Sequence, residues 1–514
     1  MDHEVITTIF IVSLLFALGI ARLAGERNRA HARFHNMGGG ITGFQNGLAM
    51  SGVSLCAAAF LGIPALFLRA GYDGLLYLIG FLAGWPILAF LLAERLRNLG
   101  RFTLADVVAS RLRRAAVRNA AALATLVVTL VFLAAQLAGV GQVIRLLFGL
   151  EYWMALLVTG AAMMFYVRKN GMVATAWIEI VNAVLLLLGA LALALLTLWA
   201  FWAADDLPAS DSAHLLAARD AFSIFPEDPL SPLSMLSLGL AFLFGLSGLP
   251  HVLMRLFTVQ EAREARRAAA WAMLWNSGFY ALCAIFSLGV LVFVPQAAVF
   301  HDAEGQLRAG ENAASLYLAQ LLGGDVFMGY AATAAFLAAL GATAGLMRAG
   351  AAAVSHDLYA MNIRKGRLDA QSEFNVAQRA SLALGVAAIL LALLAEDLNL
   401  AVMVGLALSI AASSTFPMLI LSIFWKNCTA RGAAVGGHAG LCAAVLLIIL
   451  SQPVWVEMLG HETAIFPYAS PTLFSMSAAF FLIWLFSVTD KSAAAQTERQ
   501  AFPAHQTRAE TGLG

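Results

Sequence analysis

The sequence predicts an all-α polytopic membrane protein of thirteen transmembrane helices around a core of two inverted five-helix repeats. Three observations lead there: an extreme apolar composition, thirteen apolar runs of spanning length, and glycine and proline clusters recurring five runs apart. The 514 residues are 61% hydrophobic and only 12% charged. Soluble domains carry roughly 25% charged residues, so folding in water is excluded. The formal net charge of +1 points to neither nucleic acid nor an acidic surface as a partner.

A bilayer core needs roughly 20 apolar helical residues. Thirteen runs meet or approach that length: 5–23, 41–68, 74–93, 119–148, 153–167, 172–202, 233–257, 268–294, 326–354, 380–395, 398–425, 433–450 and 473–488. They are called segments one to thirteen below. The first follows an acidic MDHE and precedes Arg22, Arg27, Arg29 and Arg33, the pattern of a retained span rather than a cleaved signal. With the N-terminus outside, all but five of the 31 Lys and Arg residues fall on the cytoplasmic side. Arg69, Arg219 and Arg308 fall outside, Arg145 and Arg348 lie within segments, and the long loop after segment six is acidic, as an outer loop should be.

Segment two carries Gly43, Gly47, Gly52, Gly62 and Pro64, and segment seven carries Gly239, Gly245, Gly248 and Pro250. Breaks this dense free backbone groups that hydrocarbon cannot satisfy, so both segments should line an interior. Small residues also permit close helix packing, but two clusters at matching positions favour a site. An odd offset of five makes the second half enter from the opposite face, the signature of an inverted-repeat transporter with its site at the midplane. The organisation expected is an extra span and cytoplasmic loop (1–40), a first repeat (41–203), an extracytoplasmic loop (204–232), a second repeat (233–425), two extra spans (426–490) and a polar cytoplasmic tail (491–514).

ITGFQNGLAMSG (41–52), GYDGLLYLIGFLAGWPILAFLLAERLRNLGRFTLADV (71–107), GLPHVLMRLFTVQEAREARRA (248–268), AVSHDLYA (353–360) and FPMLILSIFWKNCTARGAAVGG (416–437) resemble the sodium/solute symporter family, and most closely its acetate permease branch of monocarboxylate symporters. The resemblance implies a leucine-transporter-like ten-helix core, alternating access, and uptake of a small organic anion with a cation, Na+ or H+. It places the cation at Ser51 and Ser54 on segment two and at Gly341, Ala344 and Gly345 on segment nine. Ala344 and Gly345 offer no side-chain oxygen, Val53 stands where the branch usually has an acid, and Cys56 where it has a hydroxyl. A hard cation wants several oxygen ligands, so a sodium site is weakened.

Arg348 lies four residues after Ala344 and three after Gly345, on their helix face, and helical side chains lean toward the N-terminus. It is nine residues, about 13 Å, from the expected helix end near Asp357, too far for easy snorkelling. Its charge is placed to replace the mobile cation. Glu179 in segment six, where family members often carry an acid, is the expected partner, since a carboxylate and a guanidinium lower each other's burial cost. A Glu179 that protonates would couple transport to protons; one that stays ionised makes the pair a fixed lock. The sequence leaves both open.

An anionic substrate is expected at exposed N–H groups of the two breaks, around Ser51 and Gly52 and around Ser247 and Gly248, with Gln45, Asn46 and His251 as polar contributors. His251 reads either as a pH-sensitive gate or as a support of the broken helix. Arg145 reads as snorkelling, Asp357 as structural, and the runs 111–114 and 263–267 as surface charge attractive to anionic lipid. Cys56, Cys283, Cys428 and Cys442 form neither a disulfide framework nor a zinc pattern. No nucleophile, metal cluster, cofactor motif or phosphate loop suggests an enzyme. A small-carboxylate transporter of the bacterial inner membrane is the leading reading, and a transport-deficient homologue serving as a sensor or partner subunit is the alternative; oligomeric state is open.

Overall fold

The computed structural model describes residues 3–34, 42–100, 102–112, 114–169, 172–205, 230–303, 305–367 and 369–513. Each expected segment is helical there. Segment one is His3–Phe34, segment two Gly43–Ser54 with Ala58–Ala70, segment three Gly74–Leu99 and segment four Ala115–Phe148. Segments five and six are Tyr152–Lys169 and Met172–Asp205. Segments seven, eight and nine are Pro232–Thr258, Ala262–Phe293 and Glu311–Ile363. Segments ten to thirteen are Ala370–Leu393, Leu400–Phe424, Ala430–Ile449 and Thr472–Val488. Among the described residues, ten helices are by length and composition able to cross a membrane, or twelve counting each bent pair as one span; segment five is a shorter apolar helix. The expected acidic loop (204–232) lies, between 206 and 229, outside the described residues.

Apolar side chains face outward as well as inward. Phe90, Leu188, Leu195, Trp199, Trp202, Leu390 and Leu394 are exposed, as they must be in a fold whose solvent is hydrocarbon. The polar groups have gone inside, where the chain breaks. Segment two bends by 55° between Ser54 and Ala58. At its start Thr42 and Gln45 form a reciprocal capping box, which occupies the Gln45 side chain. At the break, Gln136 of segment four accepts from the Ala57 N–H at 3.2 Å. Beyond it, Ser315 donates to Phe60 O at 2.7 Å and Asn399 to Gly62 O at 3.0 Å. Segment seven breaks at Leu246–Gly248, and Thr415 of segment eleven donates to Gly248 O at 2.8 Å. Side chains from distant segments thus supply what the helices gave up. Segment nine kinks at Gly324, whose φ of 72° suits glycine.

Two surface expectations are corrected. Arg111 is buried, not part of a solvated run: its guanidinium donates to Ser422 O at 2.9 Å, Trp425 O at 3.0 Å and Lys426 O at 3.1 Å, capping the end of segment eleven. Arg145 pairs with Glu396 at 2.7 Å rather than only snorkelling. Asp357 is buried and bonded by Thr103 and Arg118, in keeping with a structural role. The tail adds an element with no apolar period to announce it. Ala493–Gln500 and Phe502–Thr511 are helices that fold back at 106° to segment thirteen. Asn98 donates to Ala509 O at 2.9 Å, and Ser110 meets the His505 ring at 3.0 Å.

Two outcomes follow. Gln136→Leu leaves the Ala57 N–H unpaired in a dry site and lowers stability by about 1–3 kcal/mol, measurable by denaturant titration in detergent. For the tail, burial first and then Arg111 and Arg508 hold the His505 pKa down to about 4. A histidine with a depressed folded pKa contributes full stability above its free value of about 6.5 and loses it as pH falls toward 4. Hydrogen exchange over 493–511, corrected for intrinsic rates, therefore speeds up across that window, and His505→Gln flattens the dependence.

Candidate functional site

Segments two, six, seven and nine meet at Glu179. Its side chain has 0% exposure, and a Cβ built on Gly52 would collide with the Glu179 carbonyl, so only glycine lets segment two come this close. One turn along, Asn182 donates to Gly52 O at 2.8 Å. Arg348 donates from Nη2 to Glu179 Oε1 at 3.1 Å. The other carboxylate oxygen, Oε2, accepts from Arg255 of segment seven, whose side chain is 5% exposed. One buried carboxylate thus serves two guanidiniums, each on a different element.

Arg255 is the residue that sequence reasoning missed, because its place beside a basic run assigned it to the inner surface. The overlooked signal is its spacing, four residues after His251 and therefore on that histidine's helix face. Asn182, Gln136 and Asn276 were missed as well, and single amides in apolar helices carry no period.

The positions expected for the cation are brought together. A methyl built on Gly341 would stand 3.4 Å from Gly52 O and 3.6 Å from Asn182 Nδ2, and one on Gly345 would stand 3.5 Å from Val53 and 3.7 Å from His251; Ala344 is buried between them. Most oxygens there are already engaged, although Asn182 Oδ1 is buried without a partner among the described residues. Ser51 O accepts from Leu55 N at 2.7 Å and from Ser54 Oγ at 3.1 Å, Gly52 O from Asn182, and both Glu179 oxygens from arginines. This donor set does not suit a hard cation. The cluster Asp106, His356 and Asp357 is close enough to ligate a metal, but Arg118 sits 2.8 Å from Asp106 and 2.6 Å from Asp357. Burial opposes the Asp106 charge, yet hydrogen bonds from His356 and Arg118 hold its carboxyl below the usual range. The cluster is an ion-pair knot.

The expected substrate positions divide. Asn46 ties segment two to seven, donating to Arg255 O at 3.0 Å and accepting from Thr258 at 3.1 Å, while Gln45 serves the cap. Ser54 donates to Asn276 at 2.9 Å, and Asn276 donates to Ser51 Oγ at 3.3 Å. The Ser247 hydroxyl and both His251 ring nitrogens are buried without a partner among the described residues. A narrow cavity of about 20 Å³ lies between the breaks, bounded by Ser54, Asn276, His251, Trp85, Phe132 and Tyr280. A larger one, of about 470 Å³, runs from His251, Arg255 and Arg348 to Phe102, His356 and Glu373. His251 borders both.

The model of one family, the Sodium:solute symporter family, matches residues 34–440. The chain belongs to that family. Among solved structures it is similar to a Na+-coupled sialic acid symporter described in a substrate-bound outward-open state, with 14% identity, 95% of this chain and 98% of the other covered, and a TM-score of 0.72. It is also similar to a manganese transporter of Eremococcus coleocola, in complex with an aromatic bis-isothiourea compound (14% identity, 92% and 95% covered, TM-score 0.50) and as a mutant (13%, 89% and 94%, 0.52). These likenesses carry the fold. As a member of the sodium:solute symporter family the chain is a multi-pass membrane protein and a secondary transporter, not an enzyme.

The sharing of Glu179 makes its partners unequal. Removing Glu179 strands two buried cations, whereas removing Arg348 leaves Arg255 and Glu179 as a neutral pair. Glu179→Leu is therefore expected to cost about 3–5 kcal/mol and Arg348→Leu distinctly less, read as thermal unfolding of the purified variants. Equal costs would refute this view of the pair.

Proposed function

We propose that this transporter carries a small monocarboxylate such as acetate or pyruvate across a bacterial inner membrane, with its N-terminus outside and its C-terminus cytoplasmic, and that the Arg348 charge takes the place of the sodium ion. The observation that carries the reading is the contact of Arg348 with Glu179 beside Gly341, Ala344 and Gly345. A permanent cation there offers the electrostatic support that a bound ion would otherwise supply, and the engaged oxygens leave little to bind sodium. Two guanidiniums on one carboxylate favour a fixed lock over a carboxyl that gains and loses a proton in each cycle.

The substrate reading rests on the family resemblance of the sequence and on the narrow cavity between the breaks. Ser54, Asn276 and His251 provide a few polar contacts within aromatic walls; the space there holds about one water, so a small anion with a short apolar tail enters only as the two breaks move apart. The arginine-rich helix ends and the docked tail then face the cytoplasm and its anionic lipids, and the 470 Å³ cavity opens to that side.

Uptake of radiolabelled acetate and pyruvate into proteoliposomes, with sodium and proton gradients imposed separately, tests the proposal. Uptake is expected to proceed equally in sodium and in choline, and Arg348→Ser to lose at least tenfold in rate. Strong stimulation of the parent by sodium would overturn the fixed-cation mechanism. Absence of flux for every carboxylate would favour the reading as a sensor or partner subunit.

A further inference from the structure

Two cavities flank the start of segment four, on the face against which the tail docks. One, of about 630 Å³, lies between Arg114, Ala115 and Arg118, Asn362 and Lys365 at the end of segment nine, and Arg508 of the tail. The other, of about 620 Å³, lies between Arg111 and the tail residues Thr497, Glu498, His505 and Arg508. Ser110, Arg114 and Arg508 line both. The cations here outnumber the carboxylates that hold them. Arg118 is committed to Asp106 and Asp357 at 2.8 and 2.6 Å. Arg114 reaches Glu498 Oε1 only at 3.7 Å, and Oε2 of that carboxylate accepts from Ala430 N at 2.9 Å. Arg111, held by carbonyls, and Lys365 and Arg508 form no ion pair with any described residue. After burial, Arg111 and Arg508 hold the His505 pKa down, so both charges bear on the cavity beside that ring.

Segment four also starts without the usual groups. Helix starts favour Ser, Thr, Asp or Asn at the cap and acidic residues in the first turn. Here the cap is Arg114, which makes no side-chain capping bond, and the first turn holds no acid. The Ala115 and Ala116 N–H groups meet no acceptor among the described residues. The positive end of a 34-residue helix is thus ringed by cations, and such an end seats anions readily.

Two buried groups point independently to the same place. Arg111 is 5% exposed and His505 7%, both line the tail cavity, and Arg111 Nε and His505 Nδ1 lack partners among the described residues. Ser110 gives its hydrogen to Val107 O at 2.6 Å, so it accepts from His505 Nε2, and Nδ1 carries a free lone pair. Unpaired groups of this kind cost free energy that a ligand recovers. A ligand with negative oxygens and a hydroxyl answers the N–H groups and the lone pair together.

We propose that this face binds a net-anionic, phosphate-bearing ligand, seated at the start of segment four between Arg114 and Arg508 and bridging the tail to the bundle. Guanidinium forks match phosphate oxygens in pairs, the Ala115 and Ala116 N–H groups add donors, and Lys365 stands across the cavity. The chemistry is that of an anionic lipid head or of a soluble phosphate monoester. Because Arg114 belongs to the bundle and Arg508 to the tail, the ligand locks the tail in its docked position. The site is independent of the transport reading.

Hydrogen exchange over 493–511 of the full-length protein reads the lock directly, since opening of the tail sets the rate. In phosphate-free buffer and maltoside micelles the protein is titrated with phosphatidylglycerol, with glycerol 3-phosphate, or with oleate as an anionic lipid that lacks phosphate, all at one ionic strength. At about four times its dissociation constant a phosphate ligand is expected to slow exchange about fivefold. Protection by phosphatidylglycerol assigns the site to a lipid head and protection by glycerol 3-phosphate to a soluble ligand; both support it. Arg508→Gln and Lys365→Gln, which break no ion pair, are expected to lose that protection while exchanging like the parent when phosphate is absent. Arg263→Gln, which removes an exposed charge from segment eight, is expected to keep it. The proposal is overturned if neither phosphate source slows exchange, if oleate protects as well as phosphatidylglycerol, or if all three variants lose protection alike, the mark of a diffuse basic surface.

Discussion

A carboxylate with no exposure, gripped on both oxygens, sets the constraint on which the centre of this protein depends. Glu179 stands on segment six, Arg255 on the far half of the broken segment seven, Arg348 on segment nine, and Gly52 of segment two rests against the Glu179 backbone. In a low-dielectric interior each charge is tolerable only in company, so the four elements are bound to one another by electrostatic necessity as much as by packing. Any rearrangement that separates them must offer the carboxylate or the guanidiniums a substitute. This ties the conformational cycle to charge bookkeeping at a single point.

Around that point the backbone is held by borrowed side chains. Gln136 serves Ala57, Asn182 serves Gly52, Ser315 and Asn399 serve the wide turn after the break, and Thr415 serves Gly248. These donors and acceptors come from four other segments (four, six, nine and eleven), so the breaks in segments two and seven are correct only when the whole bundle is assembled. Broken helices are normally weak elements. Here they are braced by side chains of four other segments.

Much of this was legible in the sequence and some was not, for identifiable reasons. Helix positions follow from apolar run length, a signal that hydrocarbon enforces strongly, and every expected segment is helical where it is described. The breaks followed from glycine and proline density. The approach of Arg348 to Glu179 followed from helical spacing joined to the cost of a lone buried charge. Arg255 escaped because a rule about average charge placement is blind to a single exception, and Arg111 escaped for the same reason. The amides could not be found by any local pattern, since Gln136 and Ala57 are 79 residues apart. The docked tail escaped because its buried contacts are few and small, Ala495 and Ala509 among them, and small residues scattered in polar sequence produce no readable stripe.

The clasp of Asn182 on Gly52 bears on how such a protein can change over generations. Its amide occupies the Gly52 carbonyl, and the glycine cannot acquire a side chain because the Glu179 backbone lies against it. Strengthening a cation site in this arrangement would need the amide withdrawn, hydroxyls gained at Ala344 and Gly345, and the arginine charge removed. Withdrawing the amide leaves the Gly52 carbonyl without its donor, whereas removing the Arg348 charge leaves Arg255 and Glu179 as a neutral pair. The changes are thus unequal in cost, and Gly52, pressed against the Glu179 backbone, has little freedom to vary.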